Sequence, residues 1–311
     1  MVWTTVRLAL FSRGWPIVGE GAQLPDADEV KVVGVIGLGD IGRGVATAVA
    51  AAGFDLAVCD VRSEATDRFA DRAQVSPNPA ALGEVADVVV VVVVTAEQVL
   101  AVLDGAGGAL GRMRSGGTVM ILSTVGIDTV RQVAELAAAV GVSVVDCGVS
   151  GGPSAAAEGA LVSMVGGDDA AVEAAWPVLD SFSSLVVRMG PLGAGLRAKL
   201  ARNIAQYGSW LAAYEAQRLA EAAGIELSRL AEVIRASDKR IGGVSTLMFR
   251  STVAPFSPDD DAGLVNAMRA AAVLAHKDLG AALSLAGELG VELPMARLAD
   301  LEADAVFGVG A

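Results

Sequence analysis

The sequence is poor in the features that mark secreted and membrane proteins. Its 311 residues include two cysteines, and aromatic residues make up 4% of the chain. Cys59 and Cys147 lie in apolar, strand-like segments, which favours buried free thiols over a disulfide. The run of seven valines at 88–94 is far shorter than the roughly 20 apolar residues of a membrane helix, and it predicts a central parallel strand instead. We therefore expect a protein of the reducing cytoplasm with no membrane partner.

Positive charge is also scarce. The chain has 23 lysines and arginines against 36 aspartates and glutamates, which gives a formal net charge of −13. Such an acidic chain repels the phosphates of nucleic acids, so we expect no nucleic-acid partner. An anionic substrate must then be bound by lysines and arginines placed locally.

Length and patterning indicate two folded domains after a short extension. A chain of 311 residues that is 53% hydrophobic can fill two moderate cores. From Lys31 onward strands alternate with helices, which predicts an α/β domain with a doubly wound parallel sheet over residues 31–192. Long amphipathic helices predict an all-α C-terminal domain over residues 193–311. Residues 1–30 are interpreted as a loosely ordered N-terminal extension, and the open alternative is a start assigned upstream of the native one.

A glycine pattern marks the turn between the first strand and the first helix. The segment GLGDIG follows an apolar strand and opens a helix. Gly37 permits a tight turn, Gly39 lets a pyrophosphate approach the backbone, and Gly42 lets helix and strand pack closely. The helix N-terminus would face the phosphates. We predict a dinucleotide-binding loop, against the alternative of a turn that binds nothing, and its members are Gly37, Leu38, Gly39, Asp40, Ile41 and Gly42.

The end of the second strand carries another cofactor signal. Asp60 stands at the spacing expected of a ribose ligand, where it would bind both hydroxyls and repel a 2′-phosphate. This favours NAD as the cofactor. Arg62 could pair with a 2′-phosphate, so NADP is the alternative, and a solvated surface charge is the other interpretation of Arg62. Val61, between them, belongs to the same predicted site.

A lysine and an asparagine one helical turn apart indicate the chemistry. Lys199 and Asn203 lie at i and i+4 of the helix predicted after residue 193. Hydride transfer to a carbonyl leaves an alkoxide, so the reaction needs a proton donor beside the oxygen and a second group to hold the geometry. An ammonium and a neutral amide fit those two tasks. Such pairs also occur on exposed helices without any function, so the pair predicts a dehydrogenase only together with the dinucleotide-binding signals that precede it.

Four segments, taken together, are similar to one enzyme family. GLGDIG at 37–42, VSGG at 149–152, GAGLRAK at 193–199 with Asn203, and HKDLGAAL at 276–283 resemble the β-hydroxyacid dehydrogenase family, of the 3-hydroxyisobutyrate dehydrogenase type. The resemblance covers residues 31–305. It implies a Rossmann-type domain, an all-helical C-terminal domain, a nicotinamide cofactor, and interconversion of a small 3-hydroxy acid and its semialdehyde.

The resemblance also implies roles for individual residues. Lys199 corresponds to the general acid and base of the family, and Asn203 to the asparagine that orients it. The substrate-binding positions are Ser123, Ser150, Gly151 and Gly152; a hydroxyl and glycine N–H groups suit a carboxylate. For Ser150, Gly151 and Gly152 the alternative is a glycine turn between strands. The cofactor-lining positions are Val93, Val94, Thr95, Gln98, Thr124 and Lys277. For Lys277 the alternative is an ion pair with a nearby carboxylate.

The sequence departs from the family near the substrate. Arg202 stands where an asparagine is usual, and Ile121 and Ile127 stand where an aspartate and a proline are common. At the cofactor, Val94 replaces the usual proline. Arg202 lies close to Lys199 on the predicted helix, where it could bind a second anionic group and lower the Lys199 pKa. We expect a small anionic hydroxy acid or aldehyde as substrate, with its identity open.

Three other functions fit parts of this pattern. The first is 2-hydroxy-3-oxopropionate (tartronate semialdehyde) reductase, which nothing in the sequence separates from the first choice. An imine reductase shares the two-domain layout, but its lysine position typically holds another residue. The third is a nucleotide-binding scaffold without turnover. The apolar C-terminal helices and the resemblance together predict a homodimer or homotetramer.

Overall fold

The computed structural model describes residues 30–309. Nearly all of the predicted N-terminal extension, residues 1–30, lies outside the described residues. Those residues form two compact units, 30–202 and 203–309. The predicted boundary between residues 192 and 193 stays a prediction, because one long helix runs through both units.

An eight-stranded sheet organises residues 30–202, with the strand order β3-β2-β1-β4-β5-β6-β7-β8. The strands are β1 (Val32–Ile36), β2 (Asp55–Cys59), β3 (Gln74–Val75), β4 (Val88–Val91), β5 (Thr118–Ile121), β6 (Ser143–Ser150), β7 (Leu161–Gly166) and β8 (Ser183–Gly190). All neighbouring pairs are parallel except β6 and β7. The order reverses between β1 and β4, where open α/β sheets bind ligands. The predicted fold class is confirmed.

The valine run supplies the central strand. β4 pairs with β1 on one side and with β5 on the other, and all four of its valines are buried. A parallel strand covered by helices on both faces is apolar throughout, which explains the unbroken run. The sequence predicted a strand as far as Val94, but β4 ends at Val91 and the next three valines form a turn at the carboxyl edge.

Helices cover the two faces of the sheet and create two cores. They are α1 (Asp40–Ala51), α2 (Ser63–Thr66), α3 (Pro79–Val85), α4 (Ala96–Leu103), α5 (Ile127–Ala138), α6 (Gly152–Ala157) and α7 (Asp169–Phe182). Adjacent residues of β1 alternate between the cores, since Val35 belongs to one and Ile36 to the other. Cys59 and Cys147 are buried free thiols, as predicted. Burial raises the pKa of Cys147 to about 12.

Residues 203–309 are helical, as predicted for the C-terminal part. The helices are α8 (Ala194–Ala222), which begins in the sheet unit, α9 (Leu227–Ile241), α10 (Ala262–Glu288), α11 (Pro294–Leu301) and α12 (Ala303–Val306). Glu215 of α8 is 2% exposed, and its carboxylate accepts the N–H groups of Met295 and Ala296 at the start of α11. Across residues 30–309, no helix combines the length and apolarity needed to cross a membrane.

Candidate active site

The glycine loop joins β1 to α1 at the point where the strand order reverses. Gly37 has φ +92°, and a Cβ there would lie 2.3 Å from the carbonyl oxygen of Val92. A Cβ on Gly42 would lie 1.9 Å from the carbonyl oxygen of Gly37. A Cβ on Gly39 would instead meet nothing within 4 Å. The loop thus needs Gly37 and Gly42 for its own shape, whereas Gly39 borders open space.

The N-terminus of α1 adjoins this space. The helix starts at Asp40, and among the described residues no side chain caps its first N–H groups. The Asp40 carboxylate lies 3.4 Å from Arg43, one turn along the helix. Uncapped N–H groups and the helix dipole attract a pyrophosphate. The loop from Gly37 to Gly42 therefore fits a dinucleotide.

Asp60 connects this loop to Arg62. Its side chain is 6% exposed, and one oxygen accepts the Leu38 N–H at 2.6 Å. Arg62 donates to both carboxylate oxygens, from Nε at 3.0 Å and from a terminal nitrogen at 3.1 Å. Burial opposes ionisation of Asp60, but these donors overcome it and lower the pKa of Asp60. The position predicted for the ribose ligand thus holds a carboxylate with a guanidinium beside it. Val61, between the two residues, is fully exposed.

Ser123 secures the turn that follows β4. Its buried hydroxyl accepts the Val93 N–H at 2.9 Å and donates to the Val91 carbonyl oxygen at 3.4 Å. The hydroxyl therefore already holds the turn predicted to line the cofactor. Thr124, the next residue, is exposed at the same edge of the sheet. A substrate contact by Ser123 stays a prediction.

The same turn leads into α4 through a capping box. Thr95 Oγ1 accepts the Gln98 N–H at 3.2 Å, and Gln98 Oε1 accepts the N–H groups of Val94 and Thr95 at 2.9 and 3.1 Å. These bonds fix the backbone of the turn and leave the Val94 side chain exposed. An exposed apolar side chain at the carboxyl edge of the sheet suits contact with a cofactor ring.

The predicted substrate segment lies at the end of β6. Ser150 closes the strand, and Gly151 and Gly152 follow with φ +123° and +70°. α6 then packs on α1, where a Cβ on Gly44 would lie 2.4 Å from the carbonyl carbon of Ala156. This contact holds the VSGG turn against the helix that begins at the nucleotide loop.

Lys199 packs on the same strand. A Cβ on Gly148 would lie 2.4 Å from the Cβ of Lys199, so this glycine makes room for the lysine stem. Lys199 is half-buried and has no ion-pair partner in the described part of the chain. Burial, followed by the charge of Arg202, lowers the pKa of Lys199. The stem of the side chain thus packs on β6, and the amine is easier to deprotonate than that of an ordinary lysine.

The other two predicted residues lie in the helical unit. Asn203 follows Lys199 by four residues on α8, which is about one turn. Lys277 lies on α10, and its Nζ is 3.0 Å from Oδ1 of Asp278, with both side chains largely exposed. Within the sheet unit, Lys199 packs on Gly148, which directly precedes the VSGG segment. The roles of Asn203 and Lys277 stay predictions.

Asp146 was missed by sequence reasoning. It is fully buried in β6, and its two carboxylate oxygens accept the N–H groups of Gly193 at 2.5 Å and Leu196 at 2.6 Å. A carboxylate inside the apolar strand SVVDCGV is the signal that could have identified it. Within residues 30–309 no cluster of His, Cys, Asp or Glu side chains could hold a metal ion.

Two family models match the chain. Residues 32–190 match the model described as the NAD binding domain of 6-phosphogluconate dehydrogenase. Residues 193–305 match the model described as NAD-binding of NADP-dependent 3-hydroxyisobutyrate dehydrogenase. The two models together cover the sheet and the helices that follow it.

Individual proteins resemble the chain over most of its length. An uncharacterized oxidoreductase of Mycobacterium tuberculosis is 38% identical over 281 residues, 90% of this chain and 95% of that protein. An L-threonate dehydrogenase of Cupriavidus necator is 35% identical over 269 residues, 86% of this chain and 87% of that enzyme. A crystal structure of a protein from Mycobacterium avium 104 superposes with a TM-score of 0.83 at 35% identity, covering 90% of this chain and 99% of that one.

Proposed function

We propose that this chain interconverts a small 3-hydroxy acid and its semialdehyde, because it belongs to the β-hydroxyacid dehydrogenase family of NAD(P)-dependent oxidoreductases. The observation that carries the proposal is Lys199. It is a half-buried lysine with a lowered pKa, packed against Gly148, and Ser150 lies two residues further along that strand. Such a lysine has the properties of a general acid and base.

Lys199 moves the proton of the reaction. In oxidation its free amine accepts the proton of the substrate hydroxyl, and in reduction its ammonium donates to the carbonyl oxygen. The lowered pKa increases the fraction of free amine at physiological pH. NAD(P), when bound, supplies or accepts the hydride. Asn203, about one turn further along α8, orients the reacting oxygen.

The VSGG turn binds the substrate carboxylate in this proposal. Gly151 and Gly152 have positive φ values, which aim backbone N–H groups in directions that other residues rarely allow. Ser150 adds a hydroxyl, and Ser123 and Thr124 line the neighbouring strand end. Arg202 supplies a cation for a second polar or anionic group of the substrate, so polyhydroxylated acids such as L-threonate are candidates alongside 3-hydroxyisobutyrate.

The cofactor lies across the carboxyl edge of the sheet in this proposal. Its diphosphate faces the loop from Gly37 to Gly42, and its adenine ribose binds Asp60. Asp60 favours NAD in this arrangement, and Arg62 would pair with the 2′-phosphate when NADP is the cofactor. The residues proposed to line the remaining length are Leu38, Val61, Val93, Val94, Thr95, Gln98, Thr124 and Lys277.

The remaining proposals concern organisation. We propose domains at residues 31–192 and 193–311, a cytoplasmic location, and a homodimer or homotetramer. Support for self-association comes from α8, where apolar side chains at helical spacing are largely exposed: Ile204, Tyr207, Trp210 and Tyr214. A second copy of the chain would cover this stripe.

A substrate screen tests the proposed reaction. The purified protein is incubated with 3-hydroxyisobutyrate, L-threonate and glycerate in the presence of NAD or NADP, and with tartronate semialdehyde or a cyclic imine in the presence of the reduced cofactors. Turnover of hydroxy acids or their aldehydes supports the proposal, and their relative kcat/KM values identify the substrate. Turnover of the imine alone would favour an imine reductase, and cofactor binding without any turnover would favour a scaffold.

A further inference from the structure

We propose that Asp146 is a positioning residue: its carboxylate sets where the helix bearing Lys199 begins, and so where the lysine amine stands against β6. The inference rests on the proposed function, since it matters only if Lys199 handles the substrate proton. It concerns the sheet unit alone, residues 30–202.

The first link is the pair of hydrogen bonds at the start of α8. Asp146 Oδ1 accepts the Gly193 N–H at 2.5 Å, and Oδ2 accepts the Leu196 N–H at 2.6 Å. Both donors belong to the turn that opens the helix, where N–H groups otherwise lack partners. One buried carboxylate therefore fixes two points of the helix start, which determines its position and its direction.

The second link is direct backbone contact around these bonds. A Cβ on Gly195 would lie 2.3 Å from the Met164 carbonyl oxygen and 2.7 Å from the Asp146 carbonyl oxygen. A Cβ on Gly166 would lie 2.4 Å from Asp146 Oδ1. Because the two glycines remove the side chains that would separate helix from sheet, the helix start rests on β6 and β7 themselves.

The third link is the order of residues along β6. Asp146, Gly148 and Ser150 alternate, so they share one side of the strand. Asp146 holds the helix start, Gly148 touches the stem of Lys199, and Ser150 begins the predicted carboxylate site. One strand, β6, therefore carries both the residue that holds the helix of Lys199 and the start of the predicted carboxylate site, so it determines the distance between the lysine and the substrate.

The carboxylate is the one group that suits this task. Burial raises the pKa of Asp146, and the two N–H donors and the nearby Arg197 oppose that effect. An asparagine has one acceptor oxygen and an NH2 group, so Asp146→Asn leaves one helix N–H facing another donor. The helix start would then shift or loosen, and a displacement of about 1 Å at a catalytic group can reduce turnover roughly 100-fold.

Glu215→Gln provides the matched control. Glu215 is also a buried carboxylate that accepts two N–H groups at the start of a helix, but it holds α11 in the helical unit. The two variants remove the same kind of interaction. A general loss of stability would therefore appear in both, whereas a displaced Lys199 appears only in Asp146→Asn.

The experiment measures two properties of each variant. The first is the pH profile of kcat for hydroxy-acid oxidation, with KM. The second is the pKa of Lys199 itself, read without cofactor by NMR titration of ¹³C-methylated lysines and assigned with Lys199→Arg. We expect Asp146→Asn to lower kcat at least ~10-fold with little change in KM, and to move the Lys199 pKa toward the ordinary lysine value as burial is lost. Glu215→Gln should lower the unfolding temperature and leave the Lys199 pKa in place.

Gly148→Ala covers the case in which Asp146→Asn does not fold. Its methyl group presses on the Lys199 stem while the Asp146 hydrogen bonds remain, so kcat should fall and the Lys199 pKa should again change. Unchanged kcat and Lys199 pKa in folded Asp146→Asn would overturn the positioning role, and so would the same result in Gly148→Ala where Asp146→Asn does not fold. In both cases an inactive Lys199→Ala leaves the proposed function standing. Full activity of Lys199→Ala would instead overturn the proposed function.

Discussion

Arg62 binds both carboxylate oxygens of Asp60 at the carboxyl end of β2, although only one residue separates them. The arginine side chain is half-exposed, and the aspartate beneath it is nearly buried. If the adenine ribose binds Asp60 as proposed, this guanidinium would lie where NADP carries its extra phosphate. We therefore predict that Asp60 binds the ribose and that Arg62 binds the phosphate.

Replacing Arg62 tests whether this residue contributes to the binding of NADP but not of NAD. We expect Arg62→Ala to raise KM for NADP by ~10-fold or more, because a charged hydrogen bond to phosphate is lost, and to change KM for NAD far less. Steady-state kinetics with both cofactors measure this. Arg72→Ala, which removes an exposed arginine paired with Asp71, is the control and should affect neither cofactor. Equal losses with NAD and NADP would contradict a phosphate contact.

Two glycines of the nucleotide loop should respond differently to the same substitution. Gly42→Ala places a methyl group against the Gly37 carbonyl oxygen, so it should lower the unfolding temperature. Gly39→Ala meets no atom of the protein, so the fold should stay intact while NAD(P) binding weakens. Thermal unfolding and cofactor titration separate the two effects. Normal cofactor binding by Gly39→Ala would show that the cofactor does not approach this turn, and it would favour the alternative that the turn itself binds nothing.

The pH dependence of oxidation should depend on Arg202. Oxidation needs the Lys199 amine in its free form, so kcat should rise with pH through a pKa that lies below the ordinary lysine value. Arg202→Gln removes a neighbouring positive charge, which raises the Lys199 pKa and moves this limb of the profile to higher pH. Arg235→Gln, an exposed arginine on α9, should leave the limb in place. An unshifted limb in Arg202→Gln would show that burial alone sets the pKa.

The exposed apolar stripe of α8 predicts self-association. Light scattering should give a mass of two or four times the 31.3 kDa chain. Trp210→Glu places a charge on the stripe and should shift the protein toward monomer, whereas Val140→Glu, in the sheet unit, should not. A wild-type protein that is monomeric at all concentrations tested would contradict the prediction.

Periodicity and glycine spacing were sufficient to predict most of the fold. The strand–helix alternation and the all-helical C-terminal part follow from patterns that each segment carries by itself. β3 was missed because two residues, Gln74 and Val75, hold no detectable pattern and are exposed. The antiparallel pairing of β6 with β7 was missed as well, since strand direction depends on the path of the chain rather than on apolar alternation.

The site was predicted less completely, for a physical reason. Sequence motifs indicate residues that would face a ligand. They do not indicate which polar side chains form hydrogen bonds within the folded protein. The sequence does not indicate, for example, that the Ser123 hydroxyl bridges Val91 and Val93, whether or not it also binds substrate. Asp146 lies 50 residues from its partner Leu196, and only the folded chain brings them together.

Lys199 is the residue on which the proposed reaction depends most directly. The decisive measurement is kcat of Lys199→Ala on the preferred hydroxy acid, beside Lys239→Ala as a control for loss of an exposed lysine. We predict a loss of ~10²- to 10⁴-fold for Lys199→Ala with unchanged cofactor affinity, and wild-type activity for Lys239→Ala. Wild-type turnover by Lys199→Ala would contradict the account.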